Sequence, residues 1–160
     1  MKKIIDYAII GTISLIFCSS ECKIGYHRIA VYNKAEHYIN ILLSEGYPIF
    51  PDTLIPTLNY GSYSYVPFSP IKPGLAGYFG KISTTYKDFI QSCGSDTIII
   101  FIFHTDTLAK YTWDEVREGY KILKRYDVSW QEMAALDGEI QYPPTEVEKR
   151  IRQYPPYGSE

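Results

Sequence analysis

In His104-Thr105-Asp106 an imidazole and a carboxylate stand two residues apart, directly after an apolar run. Strand ends are common places for reactive groups, and a histidine beside an acid is the pairing that general acid–base chemistry uses. The same residues admit a structural reading, in which Thr105 or Asp106 caps the turn into residues 108–111 and His104 sits at a sheet rim. No serine or cysteine stands in the glycine-flanked context of an activated nucleophile. His27, His37 and His104 show no HxH, HExxH or CxxC spacing, and Gly74, Gly77 and Gly80 lack the helix and lysine of a phosphate loop. A catalytic metal is therefore not expected, and neither is a cofactor.

A second candidate is the aromatic stretch 60–79, with Tyr63, Tyr65 and Tyr78 foremost. Tyrosine offers a rigid apolar face with a polar tip and suits stacking on sugar rings or peptide. The competing reading packs these rings down onto a sheet. Asp114, Glu115 and Glu132 complement helix dipoles. The basic run Lys121, Lys124 and Arg125 reads as a solvated face.

These residues need a scaffold, and the chain supplies one. Its 160 residues, 46% hydrophobic, suit one domain with a real core. Sixteen basic against eighteen acidic residues argue against a nucleic-acid partner. Residues 27–33 and 38–44, separated by Asn33-Lys34-Ala35-Glu36, predict a β-hairpin. In the first, Ile29 and Val31 alternate with Arg28, Ala30 and Tyr32; in the second the alternation is only partial. Residues 47–80 hold six of the ten prolines, so they predict a packed loop with at most short edge strands. Residues 85–91 suit a short helix. Residues 97–103, apolar on both faces, predict the central strand of the sheet. Thr112-Trp113-Asp114-Glu115 and Ser129-Trp130-Gln131-Glu132 are capping boxes that open helices. Residues 120–126 suit a strand and, less well, a continued helix. Asp137-Gly138 turns the chain into a last strand over 139–142, which Pro143-Pro144 ends.

The N-terminal region has the character of an address. Met1-Lys2-Lys3 precedes an apolar run over residues 7–17. As a helix that run spans about 16 Å, against about 30 Å for a bilayer core, which identifies a signal-peptide h-region. Two cleavage readings stand. Leu15-Ile16-Phe17-Cys18 resembles a lipobox, with Cys18 the lipidated mature terminus, although Phe17 replaces the usual small residue. Ordinary cleavage after Ser20 is the other. Either leader carries off Lys2, Lys3 and Asp6, taking the net charge from −2 to −3. Export would place Cys22 and Cys93 in an oxidising space, where pairing is open to them.

Ile100-Phe101-Ile102-Phe103, Asp106-Thr107-Leu108, Trp113-Asp114-Glu115-Val116 and residues 122–127 form a recognisable pattern. Tyr142-Pro143-Pro144-Thr145 and Tyr154-Pro155-Pro156-Tyr157-Gly158 extend it. Together with the paired strands 29–41 and the lipobox-like start, it resembles a group of small uncharacterised lipoproteins of Bacteroides-type bacteria. The resemblance implies an acid at the position of His104, and it carries no functional residues across.

The expected architecture is α+β: a single domain with a mainly antiparallel sheet and three or four short helices. Residues 1–17 are the signal peptide, 18–26 a tether, 27–144 the domain and 145–160 a Pro/Tyr-rich tail. The expected role is a non-enzymatic binding or structural module, lipid-anchored at the cell envelope, with a protein, peptide or glycan partner and no nucleic acid. An envelope enzyme working near His104 and Asp106, or an anchored inhibitor or immunity protein, are the alternatives. A soluble periplasmic or secreted protein is the alternative location.

Overall fold

A computed structural model of the chain describes residues 27–44, 55 and 69–155. Within them seven strands form two sheets: β1 His27–Asn33, β2 Ile39–Ser44, β3 Ala76–Ile82, β4 Thr97–His104, β5 Lys124–Ser129, β6 Glu139–Tyr142 and β7 Arg152–Tyr154. The first sheet has the order β3-β1-β6 and the second β2-β4-β5-β7. Every pairing is antiparallel except β1 with β6. The α+β expectation holds, in one domain.

β4 takes the place its composition requires. Ile98, Ile100 and Ile102 face one apolar cluster and Ile99, Phe101 and Phe103 the other. The first cluster joins both sheets through Ile29, Val31, Phe79 and Ile140, and is closed by Tyr86 and Ile90 of α1 (Tyr86–Ser92). Tyr126, fully buried on β5, crosses between the sheets and donates its hydroxyl to the Gln141 carbonyl at 2.9 Å. The second cluster is covered by Leu108 of α2 (Thr105–Lys110) and Val116 of α3 (Trp113–Glu118). Each such side chain contributes about 1.5–3 kcal/mol by leaving water. Helix α4 (Trp130–Ala135) brings Met133 into the first cluster. Both predicted capping boxes are present, with Thr112 and Ser129 as N-caps. No helix among the described residues is long and apolar enough to cross a membrane.

Several expectations are corrected. Residues 27–33 and 38–44 do not form a hairpin: β1 pairs with β3 and β6, whereas β2 pairs with β4. β2 is buried along its whole length, so it needs cover on both faces and finds it beside β4. Asn33 redirects the chain between them. Its Oδ1 accepts from the Ala35 amide, and its Nδ2 donates to the carbonyls of His37 and Ile71. β3 rises out of the proline-rich region as an edge strand, while residues 62–68 lie outside the described residues. The strand expected over 120–126 begins only at Lys124. Lys124 and Arg125 are buried rather than solvated. Lys124 donates to the Pro155 carbonyl at 3.1 Å, and Arg125 forms a two-pronged ion pair with buried Asp127. β7 lies in the stretch expected as a tail and adds to β5. Buried Glu148 fastens that stretch by accepting from the Gln141 and Thr145 amides at 3.1 and 2.9 Å.

Candidate functional site

The outer face of the first sheet is where large polar and aromatic side chains stand together in the open. On β1 the odd residues Ile29 and Val31 point into the core, which turns Arg28, Ala30 and Tyr32 outward. In register, Ala30 lies between Tyr78 of β3 and Glu139 of β6. A methyl group flanked by four long side chains makes a depression with Ala30 as its floor. The walls are completed by a pairing irregularity between His27 and Ile29. A bulge of this kind re-aims side chains at a sheet's rim, and here both His27 and Arg28 line the pocket.

The pocket measures about 320 Å³ and is bordered also by Tyr86 and Asp137. Its groups are tied to one another. The Tyr32 hydroxyl donates to Glu139 Oε1 at 3.0 Å, and that hydrogen bond, followed by desolvation and the carboxylate's charge, raises the Tyr32 pKa above its ordinary value. The Arg28 guanidinium lies over the Tyr78 ring, 5.6 Å from its centroid. The His27 ring leans on Tyr86 at 4.7 Å. Tyr86 donates to the Arg28 carbonyl at 3.2 Å, and burial, then the Asp137 charge, raises its pKa. Asp137 and Gly138 both have positive φ, 49° and 76°, as the tight turn ahead of β6 requires. Gly138 also accepts from the Ala30 amide at 2.8 Å. The turn thus sets the heights of Asp137 and Glu139 against β1. Tyr78 itself is 51% exposed.

Of the binding candidates expected from the sequence, Tyr78 alone lies in this region; Tyr63 and Tyr65 fall outside the described residues, as do Cys18 and Cys22. Cys93 ends α1, its sulfhydryl directed to the Phe89 carbonyl. Sequence reasoning passed over His27, Arg28, Tyr32, Asp137 and Glu139. The outward half of β1's alternation was the available signal. What it lacked was the knowledge that Ala30 would have Tyr78 and Glu139 for neighbours, which depends on pairings across 48 and 109 residues.

His104 and Asp106 stand elsewhere, at the end of β4. The cap of α2 is His104 itself, not Thr105 or Asp106: its Nδ1 accepts from the Asp106 amide at 3.1 Å. The Asp106 carboxylate is 3.7 Å from Nδ1 and 90% exposed, in no position to orient the ring for proton transfer. Thr105 instead turns its hydroxyl to Asn40 Oδ1 at 2.8 Å. The fold also brings His37 onto His104, the rings stacked at 4.5 Å, a meeting of two histidines that their separation in sequence concealed. His37 Nε2 is buried with no hydrogen-bond partner. Among the described residues no group of three or more His, Cys, Asp or Glu is placed to hold a metal ion.

No protein-family model, curated protein or solved structure matches the chain.

Proposed function

We propose that this chain is a non-enzymatic binding module of the bacterial cell envelope, exported, tethered to a membrane by lipid on Cys18, and using the Ala30 pocket to hold its ligand. The observation that carries the binding role is the pocket itself. Exposed tyrosine, paired hydroxyl and carboxylate, and guanidinium converge over a floor kept low by alanine. Pockets that recognise ligands join an aromatic wall to a few placed polar groups in this way. At His104 the ring caps a helix and stacks on His37, and among the described residues no comparable pocket stands there to support a ligand. The anchor rests on the basic start, the apolar run and Leu15-Ile16-Phe17-Cys18, together with the resemblance to Bacteroides-type lipoproteins.

Two experiments test the two halves. Full chain is applied to arrays of immobilised peptides and glycans beside Tyr78→Ala, a change at an exposed ring that leaves the core intact. Ligands retained by the native chain and lost by the variant are expected; a binding profile indifferent to Tyr78 overturns the reading. Intact mass of the membrane fraction should reveal a diacylglyceryl group on an N-terminal Cys18. An unmodified terminus at Glu21 in the soluble fraction contradicts the anchor.

A further inference from the structure

β3 is one edge of the first sheet. The Asn33 amide donates to the Leu75 carbonyl at 2.9 Å, and Val31 and Ile29 stand opposite Gly77 and Phe79. Backbone groups alternate sides along an antiparallel strand, so Leu75, Gly77 and Phe79 bond toward β1 while Ala76 and Tyr78 turn theirs away. Among the described residues those outward N–H and C=O groups have no hydrogen-bond partner. The other described edges are closed. On β6 the Gln141 amide donates to Glu148 and its carbonyl accepts from Tyr126. β2 is buried along its length. β7 has three residues, starts at exposed Arg152 and runs into Pro155. From Ala76 to Phe79, β3 carries neither the charge nor the proline that keeps natural edges apart. Leu75 and Tyr78 are exposed, and an open depression of about 330 Å³ borders the stretch from Leu75 to Tyr78.

We propose that this edge pairs with the same edge of a second copy of the chain, antiparallel, about a two-fold axis through Gly77. Groups that face the edge must meet one another, which leaves few registers. Setting Ala76 opposite Tyr78 of the second copy engages every outward group of both residues. Setting Ala76 opposite Ala76 carries Tyr78 onto Gly74, whose amide already donates to the Asn33 carbonyl. Setting Tyr78 opposite Tyr78 reaches past Phe79 into the register shift of β3 against β1. The two-fold at Gly77 needs only Leu75 to Phe79, which is the regular stretch. The side chains fit the same register. Ala76 and Tyr78 share the outer face, so each ring lies beside the other copy's methyl, the reciprocal contact a two-fold interface requires. Arg28 lies over Tyr78 within the chain, and the ring still remains 51% exposed. At the axis Gly77 faces Gly77. Ile71 already stands where a Cβ would be, so neither copy brings a side chain of this residue to the closest approach. An unrelated extended peptide would match this spacing of ring and methyl only by chance. The paired sheets form one continuous sheet with both Ala30 pockets on the same face.

One short edge buries little area, so the dimer is weak, with a Kd of about 0.1 mM. Amide hydrogen exchange of the native full chain, in detergent with micelles in excess, is compared at about 10 µM and about 1 mM. At that Kd the monomeric fraction falls from about 85% to about 20%, so the Ala76 and Tyr78 amides should slow about fourfold. The Gly77 and Phe79 amides, already turned to β1, should change far less. Sedimentation over the same range should show a dimer that Ala76→Ser keeps and Ala76→Pro loses. The proline removes an N–H that β1 does not use. A chain still monomeric at about 1 mM overturns the pairing. So does a dimer whose added protection falls away from Ala76 and Tyr78. Slow exchange at those two amides independent of concentration overturns it too, because their partner then lies within the chain. A dimer that survives Ala76→Pro, in a variant whose circular dichroism is native, is equally contrary. The exchange measurement uses the native chain, so it decides the matter even if the proline variant fails to fold.

Discussion

Replacing Gly138 with alanine tests the turn that sets Asp137 and Glu139 against β1. The native φ of 76° is left-handed, a conformation costing an alanine about 1–2 kcal/mol. The added methyl would also collide with the Arg28 carbonyl oxygen and the Tyr86 hydroxyl. The carbonyl belongs to a paired strand and cannot swing aside, so relief requires β6 to move off β1. That movement stretches Ala30 N–H to Gly138 O, now 2.8 Å, and disturbs Tyr86 to Arg28 O at 3.2 Å. At about 1 kcal/mol for each bond, the total comes to about 3–4 kcal/mol. Gly94 supplies the control: its φ is 78°, yet a methyl there meets nothing within 4 Å. Gly94→Ala should therefore cost the backbone strain alone, about 1–2 kcal/mol. Urea unfolding of both variants isolates the collision as their difference, about 2 kcal/mol. Equal losses at the two positions would refute the packing argument, and with it the claim that this turn fixes the pocket's height.

Three further outcomes follow from the core. Asp127→Ala strands the buried Arg125 guanidinium and should cost about 3–5 kcal/mol in urea unfolding; a loss under 1 kcal/mol would show water reaching that pair. Ser129→Ala removes the cap of α4 and should lower stability by about 1 kcal/mol, with an unchanged melting midpoint as the contrary result. Burial raises the Tyr126 pKa above its ordinary value of 10.0. The folded state therefore keeps this phenol's proton where the unfolded chain loses it. The contribution is whole below pH 10 and is lost as pH rises beyond it. Circular dichroism through that range should show alkaline unfolding that Tyr126→Phe moves to higher pH; an unmoved midpoint would assign the transition to other groups.

What the sequence discloses follows how local each cause is. The two capping boxes, the Asp137-Gly138 turn and the two-faced apolar run of β4 are written within a few residues, and each stands where the pattern places it. The false hairpin shows the converse. Proximity in sequence favoured β1 with β2, but the partial alternation of β2 was the mark of a strand needing cover on both faces. Helix α2 went unread because its cap is a histidine, outside the usual Ser, Thr, Asp and Asn, and because Thr105–Lys110 presents no apolar stripe. β7 and buried Lys124, Arg125 and Glu148 depend on partners that only the assembled fold supplies. At the candidate site Tyr78 was visible as an aromatic. The groups facing it were not, because a pocket floored by Ala30 exists only once three distant strands are in register.

The central claim is that ligand is held on the outer face of the first sheet. Amide NMR of the labelled chain, titrated with any peptide or glycan retained on the arrays, tests it most directly. The account predicts saturable shifts concentrated at Arg28, Ala30, Tyr32, Tyr78 and Glu139, with His37, His104 and Asp106 unmoved. Shifts centred on His104 and Asp106, or none on β1, would contradict it.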